Sequence, residues 1–178
     1  MPFLWEMLYE AIFVPEGEAA PPREIVRDPS IRHYVEGYGR PGDLGVVALG
    51  PQGERLGAAW CRLLSGADPG YGYVADDVPE VSVAVRRGRR GAGIGTALVG
   101  RLMADVAAAG YRRVSLGVHP LNPARRLYER LGFRLVSQAG GAHVMVAHLT
   151  AAPGGGVQGS ARPPWCPCAE SWPGAARP

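Results

Sequence analysis

The chain has 178 residues, enough for one domain with its own core, and its 47% hydrophobic and 20% charged residues are ordinary for a globular protein. All 19 basic residues are arginine, and a net charge of +3 is too small by itself to argue for a nucleic-acid surface. No apolar run approaches the roughly 18 residues of a membrane span, and MPFLWEMLYEAIF carries Glu6 and Glu10 without the basic start or cleavage site of a signal peptide. The cytoplasm is therefore the expected compartment, with no membrane partner.

Phe3, Leu4, Met7, Leu8, Ala11 and Ile12 recur at helical spacing and predict an amphipathic helix over 3–12. Residues 13–29 are rich in proline and read as a connection. Ser30 is placed to cap a short helix carrying Ile31, Tyr34, Val35 and Tyr38. DLGVVALG and RLGAAWCRLL, separated by PQGE, predict a hairpin. After the loop GADPGYGYVADDVPE comes a third strand, EVSVAV, and then a basic glycine-rich loop, RRGRRGAG. Ile94, Leu98, Leu102 and Val106 mark one face of a helix that Gly110 stops. The strand RRVSLGV follows, then a short helix in NPARRLYERLGF and two last strands, FRLVS and AHVMVAHL. A helix between EVSVAV and RRVSLGV makes a βαβ unit, so these two strands are expected to be parallel neighbours in an otherwise antiparallel, mixed sheet.

Residues 151–178 hold 6 Pro and 5 Gly, 11 of 28, and read as a disordered tail behind a domain over 1–150. Trp165 and Trp172 are unusual in such a segment. Cys61 lies alone in an apolar strand and reads as core. Cys166 and Cys168 form an isolated CxC with no further ligand at zinc spacing, so no metal site is expected.

Arg90-Gly91-Ala92-Gly93-Ile94-Gly95-Thr96 falls between a strand and a helix. Glycines there admit positive φ and a close backbone approach. A helix start adds free N–H donors and the positive dipole end, together a site for a pyrophosphate. Two other phosphate folds fit poorly. A Rossmann unit wants a third small residue at Thr96 and an acid ending the next strand, which here ends Leu116-Gly117-Val118. A Walker loop needs a lysine.

Arg90-x-x-Gly93-x-Gly95 after VSVAV resembles motif A of the Gcn5-related N-acetyltransferases. Asn122-Pro-Ala-Arg-Arg-Leu-Tyr128-Glu-Arg-Leu-Gly132-Phe133 resembles their motif B. The resemblance spans residues 3–149. It implies the acyl-CoA N-acyltransferase fold: an α/β domain with a mixed, mostly antiparallel twisted sheet, a central splayed parallel pair and flanking helices. The edge strand that usually precedes the first helix is expected to be missing or to lie upstream.

The resemblance also implies acetyl-CoA as co-substrate. Main-chain groups of Val83 and Val85 would bond the pantetheine, the N–H groups from Arg90 through Gly91, Ala92, Gly93, Ile94, Gly95 and Thr96 would hold the pyrophosphate, and Asn122 would bond the pantetheine or cap its helix. Acetyl transfer needs a deprotonated amine and a stabilised leaving thiolate. Tyr128 stands where relatives carry a general acid, and Glu80 where many carry a base acting through water. Asp76 and Asp77, with Tyr71 and Tyr73, are candidates to attract a cationic acceptor. His119 follows a strand and reads as a loop residue.

The function so implied is direct acetyl transfer to a primary amine of a small molecule or peptide, by a chain that relatives suggest is a homodimer. A non-catalytic acyl-CoA-binding regulatory module is the alternative, and Tyr128 together with Glu80 argues for the enzyme. An RNA-binding role for RRGRR lacks the interleaved aromatics of single-strand binders.

Overall fold

The computed structural model describes residues 2–150. The first helix, α1 (Pro2–Ala11), buries Phe3, Leu4, Met7 and Leu8 along one stripe. The connection after it is less plain than its prolines suggest, because Arg23–Arg27 form a 3-10 turn. The short helix α2 (Pro29–Arg32) is capped by Asp28, not Ser30: Asp28 Oδ1 accepts from both Ser30 N and Ser30 Oγ. Proline at the first helical position suits this start, since the missing N–H would have had no partner there.

Six strands follow: β1 (Leu44–Leu49), β2 (Arg55–Arg62), β3 (Glu80–Val85), β4 (Arg113–Val118), β5 (Arg134–Ala139) and β6 (Ala142–His148). They form one sheet in the order β1-β2-β3-β4-β6-β5, antiparallel throughout except for β3 and β4. Helix α3 (Ile94–Ala108) makes the crossover between the parallel pair, and α4 (Arg125–Arg130) follows β4. The expected mixed sheet with its central parallel pair is therefore present. Among the described residues the chain opens on α1, and its first strand comes after α2.

The sheet has a core on each face, and strand alternation sorts residues between them. Val81, Val83 and Val85 join Leu98, Leu102, Val114, Leu116 and Tyr128 on the α3 face. Ala58, Trp60 and Ala84 join Phe3, Met7 and Tyr34 on the α1–α2 face. Arg62 and Glu80 have the parity of Trp60 and Ala84, so they too point to the α1–α2 face. A buried cation needs partners there. Arg62, 1% exposed, donates to Asp43, to His33 O and to Glu36 O, which ties the segment after α2 onto β2. Cys61 is fully buried, as its apolar surroundings imply. The tail, with Trp165, Trp172, Cys166 and Cys168, lies outside the described residues.

Candidate active site

The parallel strands touch at one register position, Glu80 beside Ser115, where Ser115 N donates to Pro79 O at 3.0 Å. Both strands then run on unpaired to each other, β3 to Val85 and β4 to Val118. The direction of the backbone groups along this gap follows from the ladder on the other side. Arg86 N donates to Leu56 O at 2.9 Å, and Val85 sits opposite Gly57. Bonded and non-bonded pairs alternate in an antiparallel ladder. Ser82 and Ala84 therefore spend their backbone groups on β2, while Val83 and Val85 turn theirs toward the gap. Val83 N–H and C=O face it outright; Val85 C=O accepts from Arg90 Nε at 2.9 Å.

At the open end of the gap lies the glycine loop. Arg87–Arg89 make a 3-10 turn that Arg90 N closes onto Arg87 O. Gly91 and Gly93 have φ of 82° and 80°, the left-handed region that glycine occupies without strain. Gly93 is the N-cap of α3 and supplies no side chain, so the N–H groups of Ile94, Gly95 and Thr96 have no partner within the helix. A Cβ built on Gly95 would sit 3.5 Å from Leu127 Cδ1 and 3.9 Å from Val85 Cγ2. The start of α3, the helix α4 and the end of β3 thus converge around this loop.

The four loop arginines are ion-paired. Arg86 is bidentate to Glu6, Arg90 and Arg87 reach Glu10, and Arg89 reaches Glu54. Much of the loop's positive charge is thus matched by acids of α1 and the β1–β2 turn, which also fastens α1 across the end of β3. That arrangement weighs against a free basic stripe for RNA.

Tyr128 lies on the α3 face, 8% exposed, edge-on to Phe133 with ring centroids 5.9 Å apart. Burial pushes its hydroxyl up to about 12, so it is protonated at neutral pH and able to donate. Asn122 Oδ1 accepts from Ala124 N at 2.9 Å and its carbonyl from Arg125 N, so the residue turns the chain into α4.

Glu80 lies on the opposite face and is only 3% exposed, not the solvated strand end its position suggests. Its Oε1 accepts from Tyr34 Oη at 2.7 Å and from Gly72 N at 2.8 Å. Burial raises its pKa, against the lowering effect of these hydrogen bonds and of nearby His33. Candidate base and candidate acid thus stand on the two faces of the sheet.

The loop before β3 reaches β4 as well. A Cβ on Gly72 would overlap the backbone of Leu116 and Gly117, and one on Gly117 would overlap Tyr71 and Gly72, so glycines let the two segments meet. Asp76 accepts from Tyr73 Oη at 2.6 Å and Gly66 N at 2.9 Å, which lowers its pKa and makes it a brace of this loop. Asp77 is exposed and lies 3.7 Å from Arg113. His119 stacks on Phe13 with centroids 5.1 Å apart, joining the end of α1 to the end of β4. Sequence reasoning missed Tyr34 as the partner of Glu80. The two are separated by 46 positions, and no local pattern links them.

Comparison with known proteins gives a consistent outcome. The family model described as Acetyltransferase (GNAT) family matches residues 5–133. The fold is shared with a GCN5-related N-acetyltransferase from Kribbella flavida (22% identity, TM-score 0.58, covering 83% of this chain and 89% of that one). It is shared also with a phosphinothricin acetyltransferase from Sinorhizobium meliloti in complex with AcCoA (21%, 0.58, 88% and 87%). A PaiA N-acetyltransferase from Thermoplasma acidophilum in complex with coenzyme A is similar again (15%, 0.59, 83% and 91%). No curated protein sequence matches. Among the described residues there is no group of side chains suited to a metal ion and no helix long and apolar enough to cross a membrane.

Proposed function

The chain belongs to the GNAT family of acetyltransferases, and we propose that it acts in the cytoplasm, moving the acetyl group of acetyl-CoA by direct attack onto a primary amine of a small molecule or peptide. The observation that carries this reading is the gap between β3 and β4. It is joined at one position, lined by the free N–H and C=O of Val83, and closed at its open end by a glycine-capped helix start.

An extended amide chain fits beside Val83 as an added strand would, with Val85 N–H continuing the edge. A pyrophosphate fits the N–H groups from Gly91 to Thr96, where the helix dipole favours negative charge. Acetyl-CoA supplies the activated acyl carbon. Glu80 takes the proton of the acceptor ammonium through water. Tyr128, protonated at neutral pH, donates to the departing sulfur from the other face.

The test is a panel of primary amines (an amino acid, a polyamine, an aminosugar and a free peptide N-terminus) assayed for acetyl-CoA-dependent thiol release and acetylated product. At least one should be acetylated, and Tyr128→Phe should lower its turnover by about 100-fold with acetyl-CoA affinity unchanged. Tight acetyl-CoA binding with no product from any amine would instead favour the non-catalytic acyl-CoA-binding module.

A further inference from the structure

Glu80 carries two carboxylate oxygens in different circumstances. Oε1 is saturated: it accepts from Tyr34 Oη and from Gly72 N. Oε2 is buried, packs so closely on Gly70 that a Cβ there would overlap it, and makes no hydrogen bond among the described residues. The Ser115 hydroxyl, also buried without a partner, stands on the neighbouring strand at the one register position where β3 and β4 pair. Residues paired across a sheet point to the same face, so these two unpartnered atoms share one side of the sheet where the gap begins. Buried polar atoms without partners are uncommon, and each calls for an explanation such as a bound water, an ion or a catalytic role.

Tyr34 is itself fixed from three sides. Its hydroxyl donates to Glu80 and accepts from Tyr71 N at 2.6 Å, and its carbonyl accepts from Trp60 Nε1 at 3.0 Å. The hydroxyl's one proton is committed to Glu80, because the Tyr71 amide can only donate.

We infer that Tyr34 is a positioning residue that occupies Glu80 Oε1 and so leaves Oε2, on the same face of the sheet as the Ser115 hydroxyl, as the proton-accepting atom of this site. The inference rests on the reading of Glu80 as base. In the step concerned the acceptor ammonium loses one proton, and that proton ends on Oε2 while Tyr34 keeps its own. Two other ionisable groups lie near Glu80. Arg62, its register partner on β2, is committed to Asp43 and to backbone carbonyls. His33 bonds Asp68 through Nδ1 at 2.8 Å, and its Nε2 is buried without a partner among the described residues.

The experiment is a carbon-13 NMR titration of glutamate-labelled protein, with the Glu80 carboxyl resonance assigned by its loss in Glu80→Gln. Tyr34→Phe keeps the ring and removes one hydrogen bond to the ionised form, so the Glu80 midpoint should rise by about one pH unit or more. Uniform 3-fluorotyrosine labelling, which substitutes all seven tyrosines, makes the Tyr34 hydroxyl a stronger donor and should move the midpoint down even if Tyr34→Phe does not fold. With the best acceptor from the amine panel, the acid limb of kcat/KM should follow the NMR midpoint upward in Tyr34→Phe. A midpoint unmoved by both changes would overturn the positioning role. Full turnover in Glu80→Gln is a separate result: it would remove the base reading and the role built on it.

Discussion

Replacing Glu80 with glutamine tests the burial of this carboxylate without reference to catalysis. The side chain is 3% exposed, and burial raises its pKa above the ordinary 4.5 despite two hydrogen bonds to Oε1. The sign of the linkage follows. Below the unfolded-state pKa both folded and unfolded chains carry the proton, and no charge is buried. As pH rises through the raised folded value, the folded state must ionise inside the core, and stability is lost relative to a residue that does not titrate. Each unit by which burial lifts the pKa costs about 1.4 kcal/mol above it, or roughly 3–6 °C of Tm for a domain of this size. Glutamine keeps the acceptor for Tyr34 and Gly72 and removes the charge. Scanning calorimetry of both proteins from pH 4.5 to 8 should show the variant gaining on the wild type as pH rises, whatever fixed offset the amide brings. A difference in Tm that stays flat or shrinks with pH would refute the buried, raised carboxylate.

Three further substitutions probe the frame around it. Arg62→Met removes the buried cation beside Asp43, which keeps only the exposed Arg40 and two backbone N–H groups, and should cost about 3 kcal/mol in urea unfolding, with much of the loss recovered in Arg62→Met/Asp43→Leu. Gly72→Ala forces a methyl into the backbone of Leu116 and Gly117; it should destabilise by about 1–3 kcal/mol and make the 65–79 loop more open to protease. Gly93→Ala places a side chain at φ 80°, which costs about 1–2 kcal/mol; calorimetric titration should show weakened acetyl-CoA binding while the circular dichroism spectrum is kept.

Much of the frame was legible because its signals are local. EVSVAV is β3 residue for residue, and the four-residue spacing from Ile94 to Val106 marks the buried face of α3, which ends two residues later at Ala108. The glycines of the loop announced their own conformation, since Gly91 and Gly93 do take positive φ. What failed was either a misread cap or a contact across the chain. Asp28 and Pro29 carry the usual signature of a helix start, yet Ser30, two residues on, has the same chemistry and drew the boundary. The 3-10 turn over Arg23–Arg27 hides in a stretch dominated by proline. Glu80 at the head of a strand gives no sign of burial, because what covers it are Tyr34 and the Gly70–Gly72 segment, brought in by tertiary packing. The Asp43–Arg62 pair and the union of Arg86 with Glu6 are equally invisible to periodicity.

The central claim is that the gap between β3 and β4, with the glycine loop at its end, holds acetyl-CoA. The most direct measurement is thermal unfolding of the purified protein with and without acetyl-CoA. At about 100 times its Kd the ligand adds about 2.7 kcal/mol, which predicts a rise in Tm of roughly 5–10 °C, reduced in Gly93→Ala. A folded wild-type protein whose Tm does not move with saturating acetyl-CoA would contradict the account.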